Sequence, residues 1–192
     1  MNVKLAFDLI IVDGKNLLWR THDVDQGRMA RDAETAIGGA EGFLRLLVKL
    51  KKLFKGKIVV AWEGRGTNWR NLIEPTYKAN RANRKPEQIA EHLQVMKQIP
   101  ILQELLSHLG VRQFQGIDCE GDDVMATLAH NASTASSRNP HVGATSNLSV
   151  AIYSRDRDLL QLVNDSMVVH QIMPESLKRN AEFFVEDSGV RT

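Results

Sequence analysis

Apolar residues in this chain gather in short continuous runs, and the stretches between them carry helical spacing. Leu9-Ile10-Ile11-Val12 is one such run, and it stops at Asp13-Gly14. Four apolar residues without alternation suit a strand buried on both faces, and Asp-Gly marks a turn. Ile58-Val59-Val60-Ala61-Trp62 repeats the pattern, followed by Glu63 and the break Gly64-Arg65-Gly66. Val111 to Gln115, Ser149 to Tyr153 and Met167 to Ile172 predict three further strands. From Ala36 to Phe54, Phe43, Leu46, Leu47 and Leu50 share one face of a predicted helix. Pro86 stands where a first helical turn tolerates proline, and the helical region it opens runs to about Leu109. It is kinked or split at Pro100 and ended by Gly110. Gly121 to Asn131 and Asp158 to Val163 read as shorter helices. Thr67 to Lys85 is polar, basic and irregular. Ala132 to Leu148, rich in Ser, Thr, Asn and Gly, reads as a flexible surface loop. Strands alternating with helices predict one α/β domain over residues 1–192, with a mainly parallel central sheet and right-handed crossovers.

Composition narrows the classes. An apolar content of 43% excludes a disordered chain. A net charge of +2 is too small to argue for nucleic acid, so the placement of charge has to carry that case. The single cysteine, Cys119, excludes an internal disulfide and a thiolate zinc site. No apolar run approaches the roughly 20 residues of a membrane span, and the N-terminus lacks a signal-peptide pattern. The expectation is a soluble cytoplasmic protein with no membrane partner.

The chemistry lies at the strand ends. Asp13 follows the first strand and Glu63 the second. Glu120, Asp122 and Asp123 follow the third, and Asp156 and Asp158 follow the fourth. In an open parallel sheet these positions share the carboxyl edge, where such folds bind ligands. Any one of these acids alone would serve as a helix cap or turn residue. Together they would raise one another's pKa unless cations intervene. All-oxygen ligands favour Mg²⁺, with Mn²⁺ able to substitute, and two such ions about 4 Å apart suit in-line attack on a phosphodiester. Beside Glu63 begins a basic, aromatic segment holding Arg65, Trp69, Arg70, Tyr77, Lys78, Arg81, Arg84 and Lys85. Cations interleaved with rings suit single-stranded nucleic acid, through phosphate pairing and base stacking. A second basic run, Lys49, Lys51, Lys52, Lys55 and Lys57, reads as a solvated helix end. Trp19 and Trp62 read as core.

Five motifs then stand in one order. They are Ile11-Val12-Asp13-Gly14-x-Asn16, Trp62-Glu63-Gly64, Tyr77-Lys78-Ala79-Asn80-Arg81, Glu120-Gly121-Asp122-Asp123 and Ser154-Arg155-Asp156-Arg157-Asp158-Leu159-Leu160-Gln161-Leu162. Together they resemble the 5′-nucleases: the 5′–3′ exonuclease domain of bacterial DNA polymerase I, bacteriophage 5′-exonucleases and flap endonucleases. The resemblance covers about Leu9 to Val190. It implies a PIN-like fold and Mg²⁺-dependent hydrolysis of 5′ flaps, nicked or single-stranded 5′ ends, or RNA primers on DNA, in a bacterial or bacteriophage setting. It implies that Asp13, Glu63, Glu120, Asp122, Asp123, Asp156 and Asp158 hold the metal. It implies a helical arch over about residues 65–90, in which Lys78 and Arg81 contact the scissile phosphate and Tyr77 stacks on a base. Arg70 resembles the family's arginine near the arch base.

Two departures from the family pattern carry consequences. Glu63 stands where the family usually has aspartate, which moves the carboxylate by roughly an ångström. The helix–three-turn–helix module that follows in the family, gripping duplex DNA and supplying further aspartates, is not in these residues. A second chain supplying it is one expectation, and tight binding of one cation with weak binding of a second is another. Two other functions compete: a non-catalytic module that binds branched DNA, and a PIN-type ribonuclease acting on single-stranded RNA.

Overall fold

The most apolar run becomes the centre of the sheet. The structure is a computed structural model that describes residues 6–24, 30–32, 35–79, 84–134, 148–163 and 169–172. Strand β1 (Ala6–Asp13) pairs with β4 (Lys55–Arg65) on one side and β6 (Val150–Tyr153) on the other. Strands β5 (Arg112–Ile117) and β7 (Val169–Ile172) lie outermost, giving the order β5-β4-β1-β6-β7 with every pairing parallel. The five predicted strands are thus the five strands of the sheet. Two short strands that the sequence pattern does not signal, β2 (Ala30–Asp32) and β3 (Thr35–Ala36), pair antiparallel beside it.

Continuous apolar strands call for cover on both faces, and helices supply it. Ile10, Val12, Val60 and Trp62 pack against α1 (Gly14–Val24), α2 (Gly38–Leu53) and α4 (Pro86–His108), with Leu18, Phe43, Leu50, Leu102 and Leu106 fully buried between the layers. Ile11, Val59, Ala61 and Ile152 face the other way, against Val124, Met125 and Ala129 of α5 (Gly121–Ser133) and Leu159. Each buried aliphatic side chain contributes about 1.5–3 kcal/mol of apolar burial. This is a PIN-like α/β fold, layered helix, sheet, helix.

The structure departs from the sequence pattern in several places. Residues 14–24 form α1, which the apolar spacing does not announce. Pro100 neither splits nor ends α4, and it is itself exposed, so the hydrogen bond that proline cannot donate is missing on the solvent side of the helix. Residues 67–85 are not wholly irregular, because α3 (Trp69–Ile73) forms behind the Asn68 cap, whose side chain accepts from Arg70 N at 3.0 Å. Helix α5 continues through Ser133, so the predicted loop from Ala132 starts too early. Residues 135–147 lie outside the described residues. The short helix after β6 is a 3-10 turn, Arg157–Leu162. In the second basic run, Lys49, Lys51 and Lys52 are exposed on α2, but Lys55 and Lys57 are exposed on β4 rather than on a helix end.

Candidate active site

Strand ends and helix starts meet along the carboxyl edge because the register forces them together. Asp13 pairs with Ala61, so the last residue of β1 stands two residues short of Glu63. Gly14 allows α1 to start immediately, since a Cβ there would sit 2.6 Å from the Trp62 ring. Gly64 N donates to Cys119 O at 2.9 Å, and a Cβ on Gly64 would meet that oxygen at 2.5 Å. This close passage seats the start of α5, with Glu120 as its N-cap, beside the end of β4.

A cleft of about 450 Å³ opens there, lined by Asp13, Glu63, Glu120, Asp122 and Asp156 together with Lys15, Lys78 and Arg84. Five of the seven sequence-predicted carboxylates therefore share it. The other two do not line it. Asp123 turns toward the Arg70 guanidinium, and Asp158 is exposed on the 3-10 turn, its N–H donating to Asp156 Oδ1 at 3.0 Å. Among the described residues, no three Asp, Glu, His or Cys side chains are gathered closely enough to grip an ion as they stand.

The carboxylates fall into two electrostatic groups. Asp13 is 8% exposed. It accepts from Asn16 N at 3.0 Å and from the Ser154 hydroxyl at 2.8 Å. Ser154 Oγ in turn accepts from Asp156 N at 3.1 Å. Burial, the largest influence, pushes the Asp13 carboxyl above its ordinary value against those two donors, and Asp156 pushes it further. Asp122 is pushed up to about 6, first by burial and then by the charges of Asp156, Asp13 and Glu120.

The second group is paired with cations. Lys15 forms an ion pair with Glu63. Glu120 accepts from Lys78 Nζ at 2.5 Å, Asn68 Nδ2 at 2.8 Å and the Tyr77 hydroxyl at 3.2 Å. Burial opposes its ionisation, but Lys78, by bond and charge, together with Tyr77 and Arg70, outweighs burial and holds the carboxyl below its ordinary value. Arg70 grips Asp123 with two bonds of 2.6 and 2.8 Å, which hold Asp123 low and Arg70 high. Asp123 Oδ2 also accepts from Glu120 N at 2.9 Å, the capping bond that opens α5.

The basic segment comes down onto this edge. Lys78 closes a turn in left-handed backbone, φ 57°, a conformation uncommon outside glycine, and lies 5.0 Å from the Tyr77 ring. Arg70 lies 4.5 Å from the Trp69 ring. Arg84 lines the cleft, Lys85 is exposed at the N-cap of α4, and Arg65 is exposed at the end of β4. Arg81 lies outside the described residues. The tryptophans divide. Trp62 is core at 2% exposed, whereas Trp19 is half-buried, lines the cleft and stacks on His92 with centroids 5.7 Å apart. The sequence pattern does not single out Lys15 and His92, which line the cleft, or Asn68, which donates to Glu120 beside it, and it reads Trp19 as core. The Asn68-Trp69 step carries the one local signal among them, an N-cap before a helical turn.

A larger cavity, about 620 Å³, lies toward the amino ends of the strands and is lined by apolar side chains with Lys51, Lys57 and Arg112. No carboxylate lines it, and the acidic cleft lies at the other end of the sheet.

Fold and site together define a PIN-like α/β domain with an acidic carboxyl edge. Residues 8–189 match the family described as 5′-3′ exonuclease, N-terminal resolvase-like domain, and the chain belongs to that family. It is 26% identical over 190 residues to the 5′-3′ exonuclease of Bacillus subtilis, covering 95% of this chain and 57% of that protein. It is 31% identical over 175 residues to a thermostable DNA polymerase I of Thermus caldophilus, covering 88% of this chain and 19% of that protein. The chain thus spans less than two thirds of these relatives. Among solved structures, the 5′-exonuclease of bacteriophage T5 with divalent zinc bound superposes with a TM-score of 0.59 at 21% identity. That match covers 88% of this chain and 56% of that one. Among the described residues no helix is long and apolar enough to cross a membrane.

Proposed function

We propose that this chain is a divalent-cation-dependent 5′-nuclease, with Mg²⁺ as the cation and Mn²⁺ as a substitute. Its substrates are phosphodiester bonds in DNA or RNA–DNA structures at 5′ flaps, nicks or single-stranded 5′ ends. The observation that carries the reading is the grouping of Asp13, Asp122 and Asp156 around one cleft beneath Tyr77 and Lys78. The donors are all carboxylate oxygens, which suits a hard cation. Burial first, and then the charges of Asp156, Asp13 and Glu120, push the Asp122 carboxyl up to about 6, and a divalent cation would remove the repulsive part of that penalty. Asp13, Asp122 and Asp156 would hold the first ion. Glu63, Glu120, Asp123 and Asp158 would contribute to a second, weaker one. The bound cation supplies charge neutralisation at the scissile phosphate and acidifies the attacking water.

The chain's own residues do the rest. Lys78, with Arg81 of the same segment, contacts the phosphate, and Tyr77 stacks on a base. Arg84, Lys85 and Arg65 follow the backbone. Arg70 is engaged by Asp123 through both nitrogens and acts by positioning α5 rather than by meeting phosphate first.

A second reading, a module that binds branched DNA without cutting it, is favoured by one observation: Glu63, Glu120 and Asp123 already have cationic partners in the chain. One assay separates the readings. Labelled 5′-flap DNA, an RNA–DNA hybrid and single-stranded RNA are incubated with the protein in Mg²⁺, Mn²⁺ or chelator, with Asp122→Asn alongside. Metal-dependent cutting near the flap junction, lost in Asp122→Asn while flap binding persists, is the expected result. Tight flap binding without cutting would establish the binding module. Preference for free RNA would establish a PIN-type ribonuclease.

A further inference from the structure

Lys15 directly follows the Asp13-Gly14 turn, in the first turn of α1, and lines the same cleft as Asp13. The β1–β4 register sets Glu63 two residues beyond the partner of Asp13, and the Lys15 ammonium pairs with it there. Both side chains are partly shielded, at 27% and 37% exposed. Two further cation–carboxylate pairs among the described residues of this edge, Lys78 with Glu120 and Arg70 with Asp123, use cations from the segment between β4 and α4. Lys15 differs because it belongs to a helix packed into the core layer, where Leu17 and Leu18 of the same helix are 2% and 0% exposed. Its position is therefore set by the fold rather than by the segment above the cleft.

We propose that Lys15 is a resident counter-ion for Glu63, one that competes with a divalent cation for that carboxylate and confines tight cation binding to the Asp13, Asp122 and Asp156 side of the cleft. This rests on the cation-dependent reading above and adds to it a residue that the matched motifs leave undefined. An ammonium held at Glu63 neutralises that carboxylate and repels a second positive ion approaching it. The longer side chain of glutamate then reaches the lysine first, which leaves Glu63 only a weak ligand for a second ion.

The test is Mn²⁺ titration of the full chain by calorimetry, without nucleic acid, on the wild type, Lys15→Met, Lys15→Arg, Glu63→Gln and the Lys15→Met/Glu63→Gln double variant. Melting in chelator checks that each is folded, and Lys15→Gln replaces the Met variant if that one is not. In the wild type, Glu63→Gln should change the tight Mn²⁺ affinity by less than about twofold. Lys15→Met should tighten binding roughly tenfold or bring in a second ion. That gain should disappear in the double variant, and Lys15→Arg should behave as wild type. Equal isotherms for wild type and Lys15→Met, or a gain that survives in the double variant, would overturn the role of Lys15 and leave the cation site standing. No Mn²⁺ binding by any of the proteins would overturn both.

Discussion

Two halves of one cleft hold their carboxylates by opposite means. On the β1–β6 side, Asp13 is held by a backbone N–H and a serine hydroxyl, and the nearby Lys15 charge is a lesser influence on it than burial. On the β4–α5 side, Glu63, Glu120 and Asp123 are each met by a lysine or arginine. Asp13 and Asp122 have raised pKa values, while Glu120 and Asp123 have lowered ones. In this open half Asp13, with Asp122 contributed by the first turn of α5, therefore stands where ionisation is opposed and where a cation from solution would relieve the opposition. The second half is already answered from within the chain. Both are rich in acid, so acid count alone does not locate a metal.

The largest effect should come from the open half. Asp13→Asn keeps the shape and removes the charge. Cleavage of flap DNA in Mg²⁺ should fall on the order of a thousandfold, with flap binding retained. Retained cutting would move the chemistry away from this half.

Next comes the pH dependence, which has opposite sign in the two halves. Asp122 binds its proton more tightly folded, at about 6, than at its ordinary 3.8. In chelator its contribution should therefore be most favourable below the ordinary value and be lost as pH rises through about 6. Glu120 and Asp123 have lowered values, so their contribution is present above the ordinary carboxylate range and is lost as pH falls through it. Melting temperatures measured against pH should accordingly show a falling limb near pH 6 that Asp122→Asn flattens. Saturating Mg²⁺, at a hundred times its dissociation constant, should add about 2.7 kcal/mol at pH 7 and less at pH 5. Equal stabilisation at both values would contradict the assignment.

A smaller change tests the answered half. Arg70→Met removes two charge-assisted bonds from Asp123 and should cost about 1–2 kcal/mol in urea denaturation in chelator. Smallest of all, Glu63→Asp shortens a partly exposed partner of Lys15 and should shift stability by less than about 0.5 kcal/mol.

The central strands β1, β4 and β6 were legible because they are buried on both faces, which leaves an unbroken apolar run such as Ile10, Ile11 and Val12, all 0% exposed, whereas the outer strand β5 has mostly exposed positions and was legible from its place after the Gly110 break. The positions of Asp13, Glu63, Glu120, Asp122 and Asp156 followed from those strands. Helix α1 was not legible. Two of its buried positions, Thr21 and His22, are polar, and their partners Gly39 O and Gln98 are distant in sequence, so the apolar period breaks. The five residues of α3 leave Leu72 and Ile73 about three-quarters exposed and present no buried face. Trp19 read as core because it is a large apolar residue. Its place at the cleft depends on α1 and on His92 of α4, which no local pattern brings together. The Lys15–Glu63 pair likewise exists only through the β1–β4 register.

Glu120 has a wider role than any single contact suggests. Its carboxylate receives Lys78, Tyr77 and Asn68, all from the stretch after β4, while its backbone begins α5. A phosphate that drew Lys78 to itself, as the proposed function requires, would leave Glu120 its Asn68 and Tyr77 donors but remove the lysine charge that balances it. In the proposed nuclease, nucleic acid and metal would then assist each other's binding by the same factor in either order, through one shared ammonium.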